Sequence, residues 1–341
     1  MKHVDIGLFA HNEAANIEKT LTGFLNQVVG DLDVRLVVLA NGCKDSTAEV
    51  AEAFSMSEAA QSAQIRITIE ELELGGKSRT WNQFVHSLSR ENADVLIFSD
   101  ADIELTEPDT LRKLVDGLAA DSALYAFNSH PIKDIVYRPE NLTWLDKLIA
   151  RSSETLNDWK TAICGQLYCM PAQRAREFFM PIGLAVEDGF LRAMILTDNM
   201  VTEENMKRIN GGEVFHVFNS ERSINSLIKH QTRIVIGSAV NAAIFARLRS
   251  LPEQERHREL VRAAKDEAWL SSTIKTQLPR WPFGWIPLHF LIKRTAFMLE
   301  RPRNLLNPRK AVLLAAGFGF DLIVYLNAQI KMARGMGAGY W

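Results

Sequence analysis

Asp94-Val95-Leu96-Ile97-Phe98-Ser99-Asp100-Ala101-Asp102 is the stretch that decides how this chain folds. Val95 to Phe98 is apolar without a break, as in a short strand buried on both faces. Two carboxylates, Asp100 and Asp102, follow one residue apart where such a strand opens into a loop. Carboxylates in that place can hold a divalent cation against phosphate oxygens.

The same order recurs on the N-terminal side. Val4 to Phe9 reads as a strand, and Glu13 to Gln27 carries apolar residues at helical spacing (Ala14, Ile17, Leu21, Phe24, Leu25). Val34 to Leu39 is a second strand, followed by the turn Asn41-Gly42 and by Ser46-Thr47-Ala48-Glu49, which has the spacing of a capping box. Ile65 to Ile69 alternates as a third strand. Gly75-Gly76 breaks the chain before a helix from about Ser78 to Ser89, and Pro108 opens the helix after strand four. Strands alternating with helices predict an α/β fold, a mostly parallel sheet with helices on both faces. Ligands of such sheets sit beyond the carboxyl ends of the strands. Four polar loops fall there: Ala10-His11-Asn12-Glu13, Ala40 to Asp45, Gly75-Gly76-Lys77 and Asp100-Ala101-Asp102. Taken singly, each reads equally well as a turn, a helix cap or a solvated lysine. Their placement on one rim is what points to a site.

Composition narrows the function. The chain has 341 residues and 47% apolar content, enough for a real core. Its 39 basic and 41 acidic side chains leave a net charge of -2, so no global field favours nucleic acid. Cys43, Cys164 and Cys169 form no CxxC pair, which fits unpaired thiols in a reducing compartment. The start of the chain is strand-like and lacks the apolar core of a signal peptide, so the expected location is cytoplasmic.

Five segments, in this order and spacing, resemble glycosyltransferase family 2: Phe9 to Ile17, Asn41 to Thr47, Gly75 to Asn82, Asp100-Ala101-Asp102 and Val186-Glu187-Asp188. The resemblance covers about residues 4 to 240. It implies a GT-A fold and inverting, metal-dependent transfer from a nucleotide-diphosphate sugar to a hydroxyl of a glycan, lipid-linked or small-molecule acceptor, of the kind used in envelope polysaccharide or glycolipid synthesis. By that likeness Asp102 is the direct ligand of Mn or Mg, and Asp100 contacts the ribose or the metal through water. Ala10, His11, Asn12 and Glu13 line the base and ribose pocket, and Ala101 lies with them. Lys77, or the helix N-terminus after it, faces the diphosphate. Asp188 is the general base, next to Glu187 on the acceptor side.

The chain departs from the family pattern in two places. Many members carry paired aspartates after strand two, whereas this chain has Ala40-Asn41, which weakens the inference of a uracil base. Lys229-His230-Gln231-Thr232-Arg233-Ile234 only partly matches the Gln-x-x-Arg-Trp motif of processive members, and this argues for a non-processive enzyme. Arg233 is then either a diphosphate contact or a helix-surface residue. Asp45 is either an acidic site residue or a helix cap. His216, in the strand-like Glu213 to Phe218, is either a further metal ligand or a hydrogen-bonded core residue.

Expected organisation is a GT-A domain over residues 1–250, with a nucleotide-sugar half to 130 and an acceptor half beyond it, then a helical extension over 251–341. Pro252 to Gln277 is helical in period. Trp281 to Ile292 is aromatic and apolar, and Ala311 to Leu326 is apolar apart from Asp321. Lys293, Arg294, Arg301, Arg303, Arg309 and Lys310 lie between these two stretches. The last segment is too short to span a bilayer. It reads as a buried hairpin, as a homodimer contact, or as a helix lying on the cytoplasmic membrane leaflet.

Other functions stay in view. A sugar-phosphate nucleotidyltransferase needs a glycine-rich phosphate loop after the first strand, and Ala10-His11-Asn12-Glu13 is not one. A non-catalytic nucleotide-sugar-binding protein would explain the Asn41 and His230 departures but not the retained Asp100, Asp102 and Asp188. No GxGxxG follows any strand, which argues against a dehydrogenase.

Overall fold

The computed structural model describes residues 1–153, 158–280, 285–292 and 308–336. In chain order the elements are β1 (His3–Ala10), α1 (Ile17–Leu25), β2 (Asp33–Asn41), α2 (Thr47–Ser55), α3 (Glu58–Ser62), β3 (Arg66–Leu72) and α4 (Lys77–Gln83), which a π turn extends over Phe84–Leu88. Then come β4 (Val95–Asp100), β5 (Ile103–Glu104), α5 (Thr110–Ala119), β6 (Ala126–Lys133), α6 (Asp134–Tyr137), α7 (Trp144–Ser153), β7 (Leu167–Pro171), α8 (Ala172–Ala175), α9 (Glu187–Thr197) and β8 (Ile209–Phe218). The helices α10 (Ile224–Arg249), α11 (Glu253–Ala263), α12 (Trp269–Gln277) and α13 (Pro308–Ala333) follow.

The chain divides into two compact units, 1–180 with 187–220, and 181–186 with 221–341. In the first, eight strands form one sheet in the order β3-β2-β1-β4-β7-β6-β8-β5. β3, β2, β1 and β4 are mutually parallel, as the strand–helix alternation predicts. β7 runs antiparallel to both its neighbours, β4 and β6, and β6 pairs parallel with β8. This is the α/β architecture expected from the sequence, with the parallel strands grouped at one side of the sheet.

Alternate residues of β1 show why its strand reads as apolar throughout. Val4, Ile6, Leu8 and Ala10 belong to one buried cluster with Ile17, Leu21 and Phe24 of α1 and Leu111, Leu114 and Leu118 of α5. On the opposite face Phe9 packs edge-on to Phe84 and stacks near Phe98, and a Cβ on Gly7 would lie 2.8 Å from the Phe84 ring. Both faces of the central strands are therefore dry, and every central position selects against polar side chains. Within β1, Asp5 is the exception. It is fully buried, and its carboxylate is paired with Arg35 at 2.6 Å and Arg90 at 2.7 Å.

One local expectation is corrected. Ser46 precedes α2, but its side chain makes no capping bond. Asp45 takes that place, accepting from the backbone N–H and the hydroxyl of Thr47 and from Ala14 N at 3.1 Å. Those donors hold its carboxyl below the usual range, the Thr47 hydroxyl contributing most. Asp45 thus serves as a helix cap that also ties the loop after β1 to the loop after β2.

The second unit is helical. Ser223 and Ser226 form a reciprocal capping box at the start of α10, which packs along α12 and α13. Glu259 receives hydrogen bonds from Arg247 and from Trp269 Nε1, and the Arg247 guanidinium lies 5.0 Å over the Trp269 ring. α13 buries Val324, Tyr325, Ala328 and Met332, while Val312, Leu322, Ile323, Leu326 and Ile330 on its other side are exposed. This helix is thus buried along one side only, and is not the fully buried arm of a hairpin. No helix among the described residues is long and apolar enough to cross a membrane. Of the aromatic and basic positions singled out in the sequence, 281–284 and 293–307 lie outside the described residues.

Candidate active site

β1, β2, β3 and β4 end on one rim, because parallel pairing in register puts Ala10 beside Ala40 and Phe9 beside Asp100. The loops leaving that rim are stitched to one another. Asn12 adopts a left-handed backbone (φ 57°), accepts from Lys44 N at 2.8 Å through its Oδ1, and lies 3.0 Å from His11 Nε2. His11 Nδ1 is 2.7 Å from the carbonyl of Asn41. A carbonyl can only accept, so the proton sits on Nδ1 and Nε2 accepts from the Asn12 amide.

Asn41 is 2% exposed and faces inward. Its Oδ1 accepts from Gly76 N and from Thr80 Oγ1, both at 2.9 Å. Gly42 (φ 58°) sits so close to the next loop that a Cβ would fall 2.7 Å from Gly75 Cα. The two glycine-containing turns seen in the sequence are therefore one feature, a backbone-on-backbone contact that requires glycine at 42, whereas a Cβ on Gly75 would meet nothing closer than 3.7 Å.

At the end of β4, Ala101 turns into the core and its carbonyl accepts from Thr20 Oγ1 at 2.7 Å. Asp100 and Asp102 flank it on the rim side, and Asp102 is exposed. Glu13, from the loop after β1, has its carboxyl pushed up by burial, with Asp102 and Asp45 adding to the effect, so it shares the negative field at this rim. Burial pushes Asp100 up to about 7, with Asp102 and Glu187 adding to the shift, while Lys77 pulls the other way.

Lys77, the first residue of α4, is the hub. Its Nζ lies 2.6 Å from Asp100 Oδ1, 3.0 Å from the Gly165 carbonyl and 3.2 Å from Glu187 Oε1. Burial works against its charge, yet the two carboxylates hold the ammonium above its usual range. Glu187 and Asp188 begin α9, where acidic side chains suit the helix dipole. Asp188 Oδ1 accepts from Gly189 N at 2.6 Å. Asp188, Glu187, Lys77 and Gly165 line one pocket with Phe9, Trp81, Phe98 and Tyr168. Its floor is aromatic: Phe98 stacks on Trp81 at 5.4 Å and on Tyr168 at 4.7 Å, and Trp81 Nε1 donates to Tyr168 Oη at 2.9 Å.

His216 and Arg233 are not among the residues that line this pocket. His216 is fully buried in β8, with Nδ1 2.9 Å from Ser129 Oγ and Nε2 3.2 Å from Gln166 Oε1. Burial lowers its pKa to about 3, so the ring is neutral, and coordination of a cation would require giving up one of these contacts. Arg233 belongs to α10 in the second unit, where its Nε is buried without a hydrogen-bond partner among the described residues. No group of three or more His, Cys, Asp or Glu able to hold a metal occurs among the described residues. The motif order marked Gly165-Gln166 and Asn82 as parts of segments without giving them roles of their own, since none carries a charge; Asn82 clamps Met180 through both its amide atoms at 2.8 and 3.0 Å.

A parallel-centred sheet flanked by helices, with an acidic pair at one strand end, is the architecture of the GT-A class. Residues 5–174 match the model of glycosyl transferase family 2, and the chain belongs to that family as a glycosyltransferase. Among solved structures, mannosyltransferase PcManGT from Pyrobaculum calidifontis, in complex with GDP-Man and Mn2+, is similar in fold, with a TM-score of 0.54 and 15% identity over 95% of this chain and 86% of its own. Glucosyl-3-phosphoglycerate synthase from Mycobacterium tuberculosis, in complex with Mn2+, UDP and glucosyl-3-phosphoglycerate, matches at 20% identity and a TM-score of 0.45 over 66% of this chain and 75% of its own. The chain has no match among curated proteins.

Proposed function

We propose that this glycosyltransferase moves a sugar from a nucleotide-diphosphate donor to an acceptor hydroxyl with inversion, one sugar per encounter, and that Asp188 is the general base. The observation that carries this reading is the pocket in which Asp188 and Lys77 meet over an aromatic floor, with Asp100 2.6 Å from the Lys77 ammonium.

Asp188 takes the proton of the acceptor hydroxyl as its oxygen bonds to the anomeric carbon, while the bond from that carbon to the donor's phosphate oxygen breaks on the opposite face. A single displacement of this kind needs one carboxylate base. The loops after β1 and β2, with His11, Asn12 and Glu13, hold the nucleoside. Inward-facing Asn41 supports them by fixing the loop after β3, so base recognition falls to its backbone and to its neighbours. The leaving diphosphate requires positive charge, and the exposed Asp102 beside Asp100 is a hard-oxygen pair suited to Mn2+ or Mg2+ once phosphate oxygens complete the ligand set. Such a cation, when bound, supplies charge that stabilises the leaving diphosphate. That Mn2+ accompanies a nucleotide sugar in the mannosyltransferase named above supports this choice.

The test is transfer from nucleotide sugars with Mn2+ by the wild-type chain and by Asp188→Asn. Donor binding without turnover in the wild type, across a panel of acceptors, would favour the non-catalytic nucleotide-sugar-binding reading instead. The exposed apolar side of α13 supports a further part of the proposal, peripheral contact of that helix with an anionic membrane leaflet.

A further inference from the structure

Lys77 is surrounded in a way that a phosphate ligand would not be. Its ammonium has three N–H groups, and three acceptors stand around it: Asp100 Oδ1, the Gly165 carbonyl and Glu187 Oε1, at 2.6, 3.0 and 3.2 Å. Its side chain is only 13% exposed. To grip a donor phosphate it would have to release one of these acceptors into a pocket where little water replaces the contact.

The three acceptors come from three separate parts of the fold, the end of β4, the turn before β7 and the first residue of α9. Two of them bear directly on Asp188. Glu187 is its neighbour in the chain. Gly165 is the surface on which it rests: a Cβ built on Gly165 would lie 3.3 Å from Asp188 Cβ and 3.4 Å from its Oδ2. Gly165 has no left-handed backbone requirement, so its lack of a side chain is explained by the closeness of Asp188 and not by φ.

We infer that Lys77 and Gly165 are positioning residues for the Asp188 carboxylate, Lys77 by tying the start of α9 and the turn before β7 to the end of β4, and Gly165 by offering a bare seat for the carboxyl. The inference rests on the assignment of Asp188 as base. Its physical premise is that a reacting group displaced by about 1 Å can cost on the order of 100-fold in rate while ligand affinity is kept.

Gly165→Ala adds one methyl at ordinary backbone and decides the matter even if Lys77→Met, which strands two carboxylates, fails to fold. A ligand-free crystal structure of the Gly165→Ala chain is expected to show the Asp188 carboxyl displaced with the Lys77 contacts intact. An unmoved Asp188 overturns the inference without reference to any activity. With UDP-glucose and GDP-mannose as donors and Mn2+ present, release of UDP or GDP is expected to fall in kcat by about 3- to 10-fold for Gly165→Ala, whose methyl presses Asp188 aside by a few tenths of an ångström, and by about 10- to 100-fold for Lys77→Met. Calorimetric Kd values for UDP and GDP should stay within about twofold of wild type. A rise of tenfold or more in those Kd values for Lys77→Met, with kcat retained, would make Lys77 a diphosphate ligand and overturn its positioning role. Adding Gly165→Ala to Asp188→Asn should cost nothing further, since a residue acting through Asp188 has nothing left to position. A further loss in the double variant as large as that of Gly165→Ala alone sinks the idea. A wild-type chain that binds these nucleotides and releases none defeats the transferase reading instead, while the crystal structure still decides the placement of Asp188.

Discussion

Asn41 and Thr80 are joined inside the first unit by a hydrogen bond of 2.9 Å from the Thr80 hydroxyl to Asn41 Oδ1, the same oxygen that accepts from Gly76 N. The end of β2 thereby holds the turn that launches α4, and with it Lys77. Asn41→Ala leaves both donors without their acceptor in a place almost closed to water. A stability loss of about 1–3 kcal/mol is expected in urea denaturation. An unchanged unfolding midpoint would show that the Gly42–Gly75 contact holds the turn alone.

Asp102 and Asp188 should separate cleanly in kinetics. Asp188→Asn is expected to lower kcat by roughly 1,000-fold or more while leaving nucleotide affinity near wild type, as a general base that touches only the acceptor requires. Asp102→Asn should weaken nucleotide binding in the presence of Mn2+ and leave metal-free nucleotide binding nearly unchanged. Titration of UDP with and without Mn2+ checks the second point, and normal turnover by Asp188→Asn removes the base assignment.

His216 makes stability depend on pH. Burial lowers its folded pKa to about 3, whereas an unfolded imidazole titrates near 6.5. Between these values the unfolded chain binds one more proton than the folded chain. Stability therefore rises with pH and is lost as pH falls from about 6.5 toward 3, at up to about 1.4 kcal/mol per pH unit. Urea denaturation of wild type and His216→Asn at several pH values in that window should give a shallower slope for the variant. Parallel slopes would mean that the ring is charged in the folded protein.

Asp5 offers a control far from the rim chemistry, at the opposite end of β1. Its carboxylate is fully buried between Arg35 and Arg90, and Arg90 also reaches Asp33 at 2.7 Å. Asp5→Ala leaves Arg35 only the Leu88 carbonyl while Arg90 keeps Asp33, and is expected to cost about 1–3 kcal/mol. The Kd for UDP or GDP, measured below the unfolding transition, should not change. A binding defect at that temperature would contradict a purely structural role.

The outward side of α13 is apolar over several turns. Flotation with vesicles rich in phosphatidylglycerol should carry the full chain at low salt, and Leu326→Glu with Ile330→Glu should abolish it. Failure of the wild type to float sinks the membrane contact, and concentration-dependent dimers by light scattering would assign the face to a second copy.

Much of the first unit was legible because its physics is local. Strands buried on both faces must be apolar throughout, so β1, β2 and β4 announce themselves, and the polar residues that end them mark the rim. Asn41-Gly42 and Gly75-Gly76 were visible as turns, but their mutual contact was not, since nothing in either segment records the other. The antiparallel insertion of β7 was also hidden, because pairing direction depends on where the chain returns and not on composition.

The capping box at Ser46 was a local pattern that lost to Asp45, which sits one residue earlier and reaches the loop after β1 as well. Local spacing predicts a cap; it cannot predict which of two adjacent oxygens a tertiary contact will recruit.

By itself the sequence determined the α/β class, the acidic pair at Asp100 and Asp102, and the family, because periodicity and motif order are properties of the chain alone. Only the tertiary structure decided that Asn41 faces inward, that both nitrogens of His216 are engaged, and that Lys77 joins Asp100 to Glu187 beside Asp188. Those outcomes depend on desolvation and on which partners folding brings within about 3 Å, and a single buried charge or amide takes its role from that company.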